Sequence, residues 1–153
     1  MDLILWRHAE AELLRVGQID IDRRLTPKGE RQAVRMAEWL NRRLPEATRI
    51  LVSPARRTQQ TAQALGRRFK TVAALAPACD ADDLLSAARW PDGGGAVLIV
   101  GHQPTLGIVA ARLLAAADQA WSVKKAAVWW LERRERGGAG QVTLLAVQGA
   151  DKL

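Results

Sequence analysis

Both histidines of the chain and three of its arginines stand in short polar clusters whose residue types suit phosphoryl chemistry. The clusters are Arg7-His8, residues 53–58 (Ser-Pro-Ala-Arg-Arg-Thr) and residues 101–104 (Gly-His-Gln-Pro). A guanidinium offers paired N–H donors that match phosphoryl oxygens, and a neutral imidazole can attack phosphorus and hold it as phosphohistidine. Because several guanidiniums would repel a metal cation, we expect phosphoryl transfer here and neither a metal nor a cofactor.

Each cluster directly follows an unbroken apolar run that predicts a buried strand. The runs are residues 3–6, 50–52 and 97–100. Unbroken runs are typical of a parallel sheet that is covered on both faces. The carboxyl ends of such strands form the ligand crevice of an open sheet, and two of the clusters also open helices, whose N-termini favour anions. We therefore expect the three clusters to meet at one edge of the sheet.

Helical patterns fill the segments between the predicted strands. Thr26-Pro27 is a typical helix start, and the apolar residues that follow recur at helical spacing through Leu44. Ser53-Pro54 repeats this signal, which predicts an N-cap at Ser53 and a second helix whose apolar face extends to Phe69. The remaining predicted elements are a short helix over 82–90, a helix from about 104, and a hairpin of 126–133 with 141–148.

This order of elements predicts the fold class. Strands that alternate with helices indicate an open α/β sheet with helices on both faces. We expect the sheet to be mostly parallel, with an antiparallel C-terminal hairpin at or near its edge. A chain of 153 residues has the usual size of one domain, so residues 1–153 are expected to form a single one.

Composition excludes several classes of protein. Cys79 is the lone cysteine, so no internal disulfide can form. No basic leader precedes the first apolar run, and no run approaches the roughly 20 residues of a membrane span; we expect a cytoplasmic protein without a membrane partner. The net charge of +7 could indicate nucleic-acid binding. The arginine pairs are scattered, however, and no RNA-binding motif accompanies them, so no nucleic-acid partner is expected.

Four motifs, in this order, resemble the histidine phosphatase superfamily, the phosphoglycerate mutase-like family. They are Arg7-His8-Ala9-Glu10, Leu25-Thr26-Pro27-Lys28-Gly29-Glu30, Ser53-Pro54-Ala55-Arg56-Arg57-Thr58 and Gly101-His102-Gln103-Pro104. The resemblance implies that His8 is the nucleophile and that Arg7, Arg57 and His102 bind the phosphoryl group. It selects Arg57 over Arg56 because the family motif is Ser-Pro-x-x-Arg.

Within that family, the small size and the run that begins at Gly101 look most like the SixA-type phosphohistidine phosphatases. That branch lacks the helical insertion that covers the site in mutases, and the segment between Lys70 and Val97 is too short to form one. An uncovered site would admit a phosphorylated side chain of another protein. A histidine-phosphotransfer domain is therefore the expected partner, and a small phosphorylated substrate is the alternative.

The general acid of larger family members is missing from its expected position. Those members place a glutamate two residues after a leucine; if Leu75 is that leucine, the position holds Pro77. Three nearby carboxylates could substitute, and the sequence selects none of them: Asp80, Asp82 and Asp83. A phosphorylated imidazole is a better leaving group than an alkoxide, so its hydrolysis needs less help from an acid.

The sequence thus predicts a phosphatase that removes a phosphoryl group from a protein histidine through a covalent phosphohistidine intermediate. Two alternatives stay open. One is a small-metabolite phosphomonoesterase of the same family, and the other is a non-catalytic phosphate-binding regulator, which would not need the full set of chemical residues. The oligomeric state is not indicated.

Overall fold

A computed structural model describes all 153 residues and contains one six-stranded sheet. The strands are β1 (Asp2–Arg7), β2 (Arg49–Val52), β3 (Lys70–Thr71), β4 (Ala96–Gly101), β5 (Val128–Arg136) and β6 (Ala139–Gln148), in the spatial order β3-β2-β4-β1-β5-β6. The first four strands pair in parallel, whereas β5 runs antiparallel to β1 and to β6. The predicted α/β sheet, mostly parallel with an antiparallel C-terminal hairpin, is confirmed.

Four α-helices cover the two faces of this sheet. They are α1 (Pro27–Asn41), α2 (Arg56–Gln63), α3 (Ala81–Ala88) and α4 (Thr105–Ala115). Along β1, Ile4 and Trp6 join the core that includes α1 and α2, whereas Leu3 and Leu5 join the core that includes α3 and α4. All four side chains are fully buried, and each contributes about 1.5–3 kcal/mol through the hydrophobic effect. No helix of the structure has both the length and the apolar character that crossing a membrane requires.

The two helix starts that look alike in the sequence differ in the structure. Thr26 caps α1 as predicted, because its Oγ1 accepts a hydrogen bond from the Gly29 N–H at 3.0 Å. The predicted N-cap at Ser53 is wrong. The N-cap of α2 is Ala55, which has no side-chain cap, and the Ser53 hydroxyl instead lies 2.7 Å from Nε2 of His102.

Helix α2 is also shorter than its apolar pattern predicts. It ends at Gln63, and Gly66 then adopts a left-handed φ of +65°, a conformation that suits glycine and turns the chain out of the helix. Phe69 still packs against the core. The chain reaches that position through a turn, however, and continues directly into β3.

The segment between β3 and β4 forms no lid. It contains a 3₁₀ turn (Ala73–Leu75) and α3, and buried side chains such as Leu84 pack it against α4 on one face of the sheet. The carboxyl ends of the central strands therefore stay uncovered by helix, as the length of this segment predicts.

Candidate active site

A cavity of about 210 Å³ lies at the carboxyl ends of β1 and β4. Its wall contains the four residues that the sequence predicts for the site: Arg7, His8, Arg57 and His102. Arg7 ends β1, His8 follows it, His102 follows β4, and Arg57 lies in the first turn of α2. Clusters that are far apart in the sequence thus meet at one edge of the sheet.

His8 is held so that one ring nitrogen keeps its lone pair. Its Nδ1 lies 2.7 Å from the carbonyl oxygen of Ala9. A carbonyl can only accept, so Nδ1 carries the proton and the neutral ring presents an unprotonated Nε2. The Ala9 N–H donates to Oγ1 of Thr61 at 3.1 Å, and that hydroxyl donates to the Arg57 carbonyl at 2.7 Å. Helix α2 therefore fixes the backbone that orients the His8 ring.

Both histidines are neutral at physiological pH because of their surroundings. Burial above all, together with the positive charges of Arg57 and Arg7, lowers the pKa of His8 to about 4, against the opposing effect of the Ala9 hydrogen bond. Burial lowers the pKa of His102 to about 3, helped by the nearby His8, whose ring centroid is 5.4 Å away. A neutral imidazole is the form that can act as a nucleophile.

Ser53 determines which nitrogen of His102 carries its proton. The Ser53 Oγ already accepts from the Ala55 N–H at 3.3 Å, and the only other partner of this hydroxyl is Nε2 of His102, at 2.7 Å. Nε2 is thus the only acceptor in reach of the hydroxyl proton, and a hydroxyl that donates to Nε2 leaves the proton of the neutral ring on Nδ1. Nδ1 is buried and has no hydrogen-bond partner in the protein, so His102 can donate to a bound group.

In each of the two site arginines, Nη atoms have hydrogen-bond partners in the protein, whereas Nε has none. Nη1 of Arg7 donates to the Val123 carbonyl at 2.8 Å; Nη1 and Nη2 of Arg57 donate to the Asp20 carbonyl and carboxylate at 2.9 and 3.0 Å. Nε of each arginine is buried without a partner. These two atoms and Nδ1 of His102 are the only such side-chain atoms in the chain.

That clustering of unsatisfied donors indicates an anion site. A buried polar group without a partner costs about 1–3 kcal/mol, and all three belong to side chains that line one cavity. Three N–H donors of which two are cationic match the oxygens of a tetrahedral oxyanion such as a phosphoryl group.

Two further cations line the cavity, although their sequence context assigns them no role. They are Arg23 and Lys125. Nε of Arg23 donates to Oδ1 of Asp20 at 2.9 Å, so the Asp20 carboxylate bridges Arg23 and Arg57. These contacts lower the pKa of Asp20, although partial burial opposes the shift. The only signal for Arg23 in the sequence is its position two residues before the Leu25-Thr26-Pro27 motif.

The three carboxylates suggested as substitute acids lie outside the cavity wall. Oδ1 of Asp80 accepts from the Asp83 N–H at 2.8 Å and Oδ2 of Asp83 accepts from the Asp80 N–H at 3.1 Å, which is the capping box of α3. Asp82 accepts from Arg112 at 2.7 Å. Pro77, in contrast, lines the cavity. No group of three His, Cys, Asp or Glu side chains in the chain is arranged as a set of metal ligands.

Helix α4 packs closely against the segment that contains Val123, the residue whose carbonyl binds Arg7. A Cβ on Gly107 of α4 would lie 1.8 Å from the Trp121 carbonyl oxygen, so only glycine allows α4 to pack against this segment. Gln103 bridges the two, because its Nε2 donates to the Trp121 carbonyl at 2.7 Å and its Oε1 accepts from the Gly107 N–H at 2.8 Å. Val123, whose carbonyl accepts from Arg7, follows Trp121 by two residues, so the packing at Trp121 supports this hydrogen bond.

Known proteins are similar to this chain in both sequence and fold. Residues 3–79 match the histidine phosphatase superfamily (branch 1). Phosphohistidine phosphatase SixA of Escherichia coli K12 is 32% identical over 122 residues, which is 74% of either chain. A SixA homolog of Haemophilus influenzae is 30% identical over 129 residues, covering 74% of this chain and 77% of its own. A solved structure of the protein histidine phosphatase SixA complexed with tungstate superposes with a TM-score of 0.81 at 27% identity, covering 99% of both chains.

Proposed function

The chain belongs to the histidine phosphatase superfamily and is a phosphatase, and we propose that it dephosphorylates a protein histidine through a phosphohistidine intermediate on His8. One observation carries this proposal. A neutral imidazole with a free Nε2 lines the same cavity as three side chains whose buried N–H donors have no partner. The names of two relatives, phosphohistidine phosphatase SixA and a SixA homolog, support this substrate class.

The binding roles follow from the donors. Nε of Arg7, Nε of Arg57 and Nδ1 of His102 would donate to the phosphoryl oxygens and stabilise the charge that these oxygens carry in the transition state. The SixA structure that this chain resembles was solved with tungstate. Tungstate is a tetrahedral oxyanion, so its oxygens accept hydrogen bonds in the same arrangement as those of a phosphoryl group.

In the first step, His8 takes the phosphoryl group. Nε2 of His8 attacks phosphorus as the bond from phosphorus to the substrate nitrogen breaks. When the other nitrogen of the substrate ring is protonated, the leaving imidazole departs neutral with its electron pair. His8 becomes a phosphoimidazolium, since its Nδ1 keeps the proton that it donates to the Ala9 carbonyl. Charge balances without a separate acid.

In the second step, water releases phosphate. A water oxygen attacks the phosphorus, the bond to Nε2 breaks, and both protons of the water leave with dihydrogen phosphate. His8 returns to the neutral ring with Nε2 unprotonated. The retained proton on Nδ1 makes the phosphohistidine labile, because neutral imidazole is the better leaving group.

The lack of a cavity carboxyl favours phosphohistidine over a phosphate ester. The cavity wall contains no carboxylate: it includes Pro77, the position that the resemblance assigns to the acid if Leu75 is the family's leucine, whereas Asp80, Asp82 and Asp83 lie outside it. An alkoxide leaving group would need a proton from such an acid, whereas a protonated phosphoimidazole does not. The site is also uncovered by helix, which suits a substrate carried by another protein.

Turnover of matched substrates tests this proposal. The wild type and His8→Ala are given a phosphorylated histidine-phosphotransfer domain, phosphoserine, a sugar phosphate and a nucleotide, and phosphate release is followed. We expect the wild type to be fastest on the phosphorylated domain and His8→Ala to be inactive on all four. Faster release from the sugar phosphate or nucleotide would assign a metabolite phosphatase, and phosphate binding without any turnover would assign a regulator.

A further inference from the structure

A loop beside the cavity exposes four large apolar side chains. They are Leu13, Leu14, Val16 and Ile19, with relative exposures of 86, 55, 107 and 63%. Single exposed apolar residues are ordinary on protein surfaces, but several on one loop form the kind of patch that marks an interaction site. We call residues 12–22 the apolar rim loop, because Leu13 also lines the cavity.

Polar contacts hold this loop in shape. The Glu12 carboxylate pairs with Arg15 and Arg24, each at 3.0 Å, and a bridge between Ala11 and Leu25 closes the base of the loop. At the other end, Arg57 donates to the carbonyl and carboxylate of Asp20. The polar side chains thus fix the backbone while the apolar ones face water. A partner that binds a preordered loop loses less conformational entropy than one that must order it.

A groove of about 710 Å³ extends from this loop toward helix α2. Residues 15–19 of the loop line it together with Asp22 and Arg56. Arg56 is exposed and in no salt bridge, and it adjoins the cavity residue Arg57. Lys125, another exposed cation without an ion pair, lies in the cavity wall. The groove and the cavity mouth therefore combine apolar contact surface with free positive charge, which favours an acidic partner.

We propose that the apolar rim loop docks the protein that carries the phosphohistidine, an inference that rests on the proposed function. The partner is a folded domain with exposed apolar side chains, bordered by acidic ones, beside its phosphohistidine. Its phosphoryl group must enter a cavity whose wall includes Leu13, so its surface comes against the loop. A small substrate fills the cavity without reaching Val16 or Ile19, which line only the adjoining groove.

The triple variant Leu14→Ser/Val16→Ser/Ile19→Ser tests this docking. None of the three lines the catalytic cavity. The probes are a phosphorylated histidine-phosphotransfer domain and free phosphohistidine, each followed by phosphate release. We expect KM for the domain to rise about tenfold or more, because apolar contacts at the centre of an interface carry much of its binding free energy. Turnover of free phosphohistidine should stay within about twofold.

A matched control removes apolar surface elsewhere. Val34→Ser/Leu145→Ser alters two residues that are also half exposed but lie on α1 and β6; both substrates should be turned over as by the wild type. An unchanged KM for the domain in the triple variant would overturn the docking and leave the His8 chemistry standing. Loss of free-phosphohistidine turnover would overturn it too, since the loop would then shape the site itself.

Two further outcomes would also overturn the docking. If the wild type releases no phosphate from the phosphorylated domain, the proposed function fails and the docking fails with it. If sedimentation shows a wild-type dimer that the triple variant abolishes, the loop binds a second copy of the chain instead of a substrate protein.

Discussion

The starts of helices α2 and α3 use their polar side chains for opposite purposes. At α3, Asp80 and Asp83 satisfy each other's backbone N–H groups in a capping box. At α2 the cap residue is Ala55, which has no side chain for that task, while Ser53 holds His102 and Arg57 is buried in the cavity wall. One helix start stabilises the fold, and the other gives up a side-chain cap to build the site.

This difference shows that a polar residue just before a helix does not always serve as its cap. A helix N-cap typically contributes about 1 kcal/mol, and α2 gives up that side-chain contribution. In return, one short turn after β2 supplies the hydroxyl that contacts His102 and a guanidinium that lines the cavity, where we propose that it binds the phosphoryl group. The carboxylates at α3, in contrast, are engaged in the cap and in an ion pair outside the cavity.

Among the residues of these two helix starts, the largest effect is expected from Arg57, with Arg56 as the matched control. Arg57→Ala removes a buried guanidinium that we propose donates to the phosphoryl group, and it should lower kcat/KM for free phosphohistidine by about 10²- to 10³-fold. Arg56→Ala, which removes an exposed neighbour, should change free-phosphohistidine turnover by about twofold or less. Steady-state phosphate release measures both. Equal losses in the two variants would remove the distinction between the residues.

The buried histidine beside α2 should make stability depend on pH. The pKa of His8 is about 4 in the folded protein and near 6.5 when unfolded. Between these values only the unfolded chain binds the proton, so the free energy of unfolding falls as pH falls, by about 3 kcal/mol in all for this group. Urea unfolding at pH 7 and pH 4.5 measures the drop. His8→Asn should show a smaller drop, and a drop equal to that of the wild type would contradict the neutral, buried assignment.

Ser53→Ala should reduce catalysis with little change in fold. The variant loses the hydroxyl that fixes the His102 tautomer, and a hydrogen bond of this kind corresponds to about a tenfold loss in kcat/KM. Ser86→Ala removes an exposed serine of α3 and serves as the control, with activity unchanged. If the two serine variants had the same activity, Ser53 would have no role in positioning His102.

Asp80→Ala should show the reverse pattern, with a small effect confined to stability. Loss of the capping box should lower the free energy of unfolding by about 1 kcal/mol, measured by urea unfolding, while kcat/KM stays unchanged. Asp82→Ala, which removes an exposed ion-pair partner of Arg112, should cost less than about 0.5 kcal/mol. A hundredfold loss of activity in either variant would identify that carboxylate as the general acid after all.

The features that follow from local sequence were predictable. The apolar runs place β1, β2 and β4, and the carboxyl-end rule then brings His8 and His102 together across ninety-odd positions. The prediction holds because neighbouring parallel strands have their carboxyl ends at the same edge of the sheet. Residues that directly follow such strands therefore lie close together.

Features that depend on a distant partner were not predictable. Ser53 carries a cap signature, and only the approach of His102 from β4 gives its hydroxyl another role. Arg23 reaches the cavity because the Ala11–Leu25 bridge and Asp20 set the course of its loop. Likewise, Phe69 packs against the core as its helical spacing predicts, but it does not lie in α2. That helix ends at Gln63, before the left-handed turn at Gly66.

Trapping of the phosphoenzyme shows whether His8 is the nucleophile. The wild type is mixed with a ³²P-labelled histidine-phosphotransfer domain, quenched in base within milliseconds, and digested for mass spectrometry. We expect acid-labile, base-stable label on His8 that appears and decays as phosphate is released, and no label in His8→Ala. Continued phosphate release by His8→Ala, or label on any residue other than His8, would contradict it.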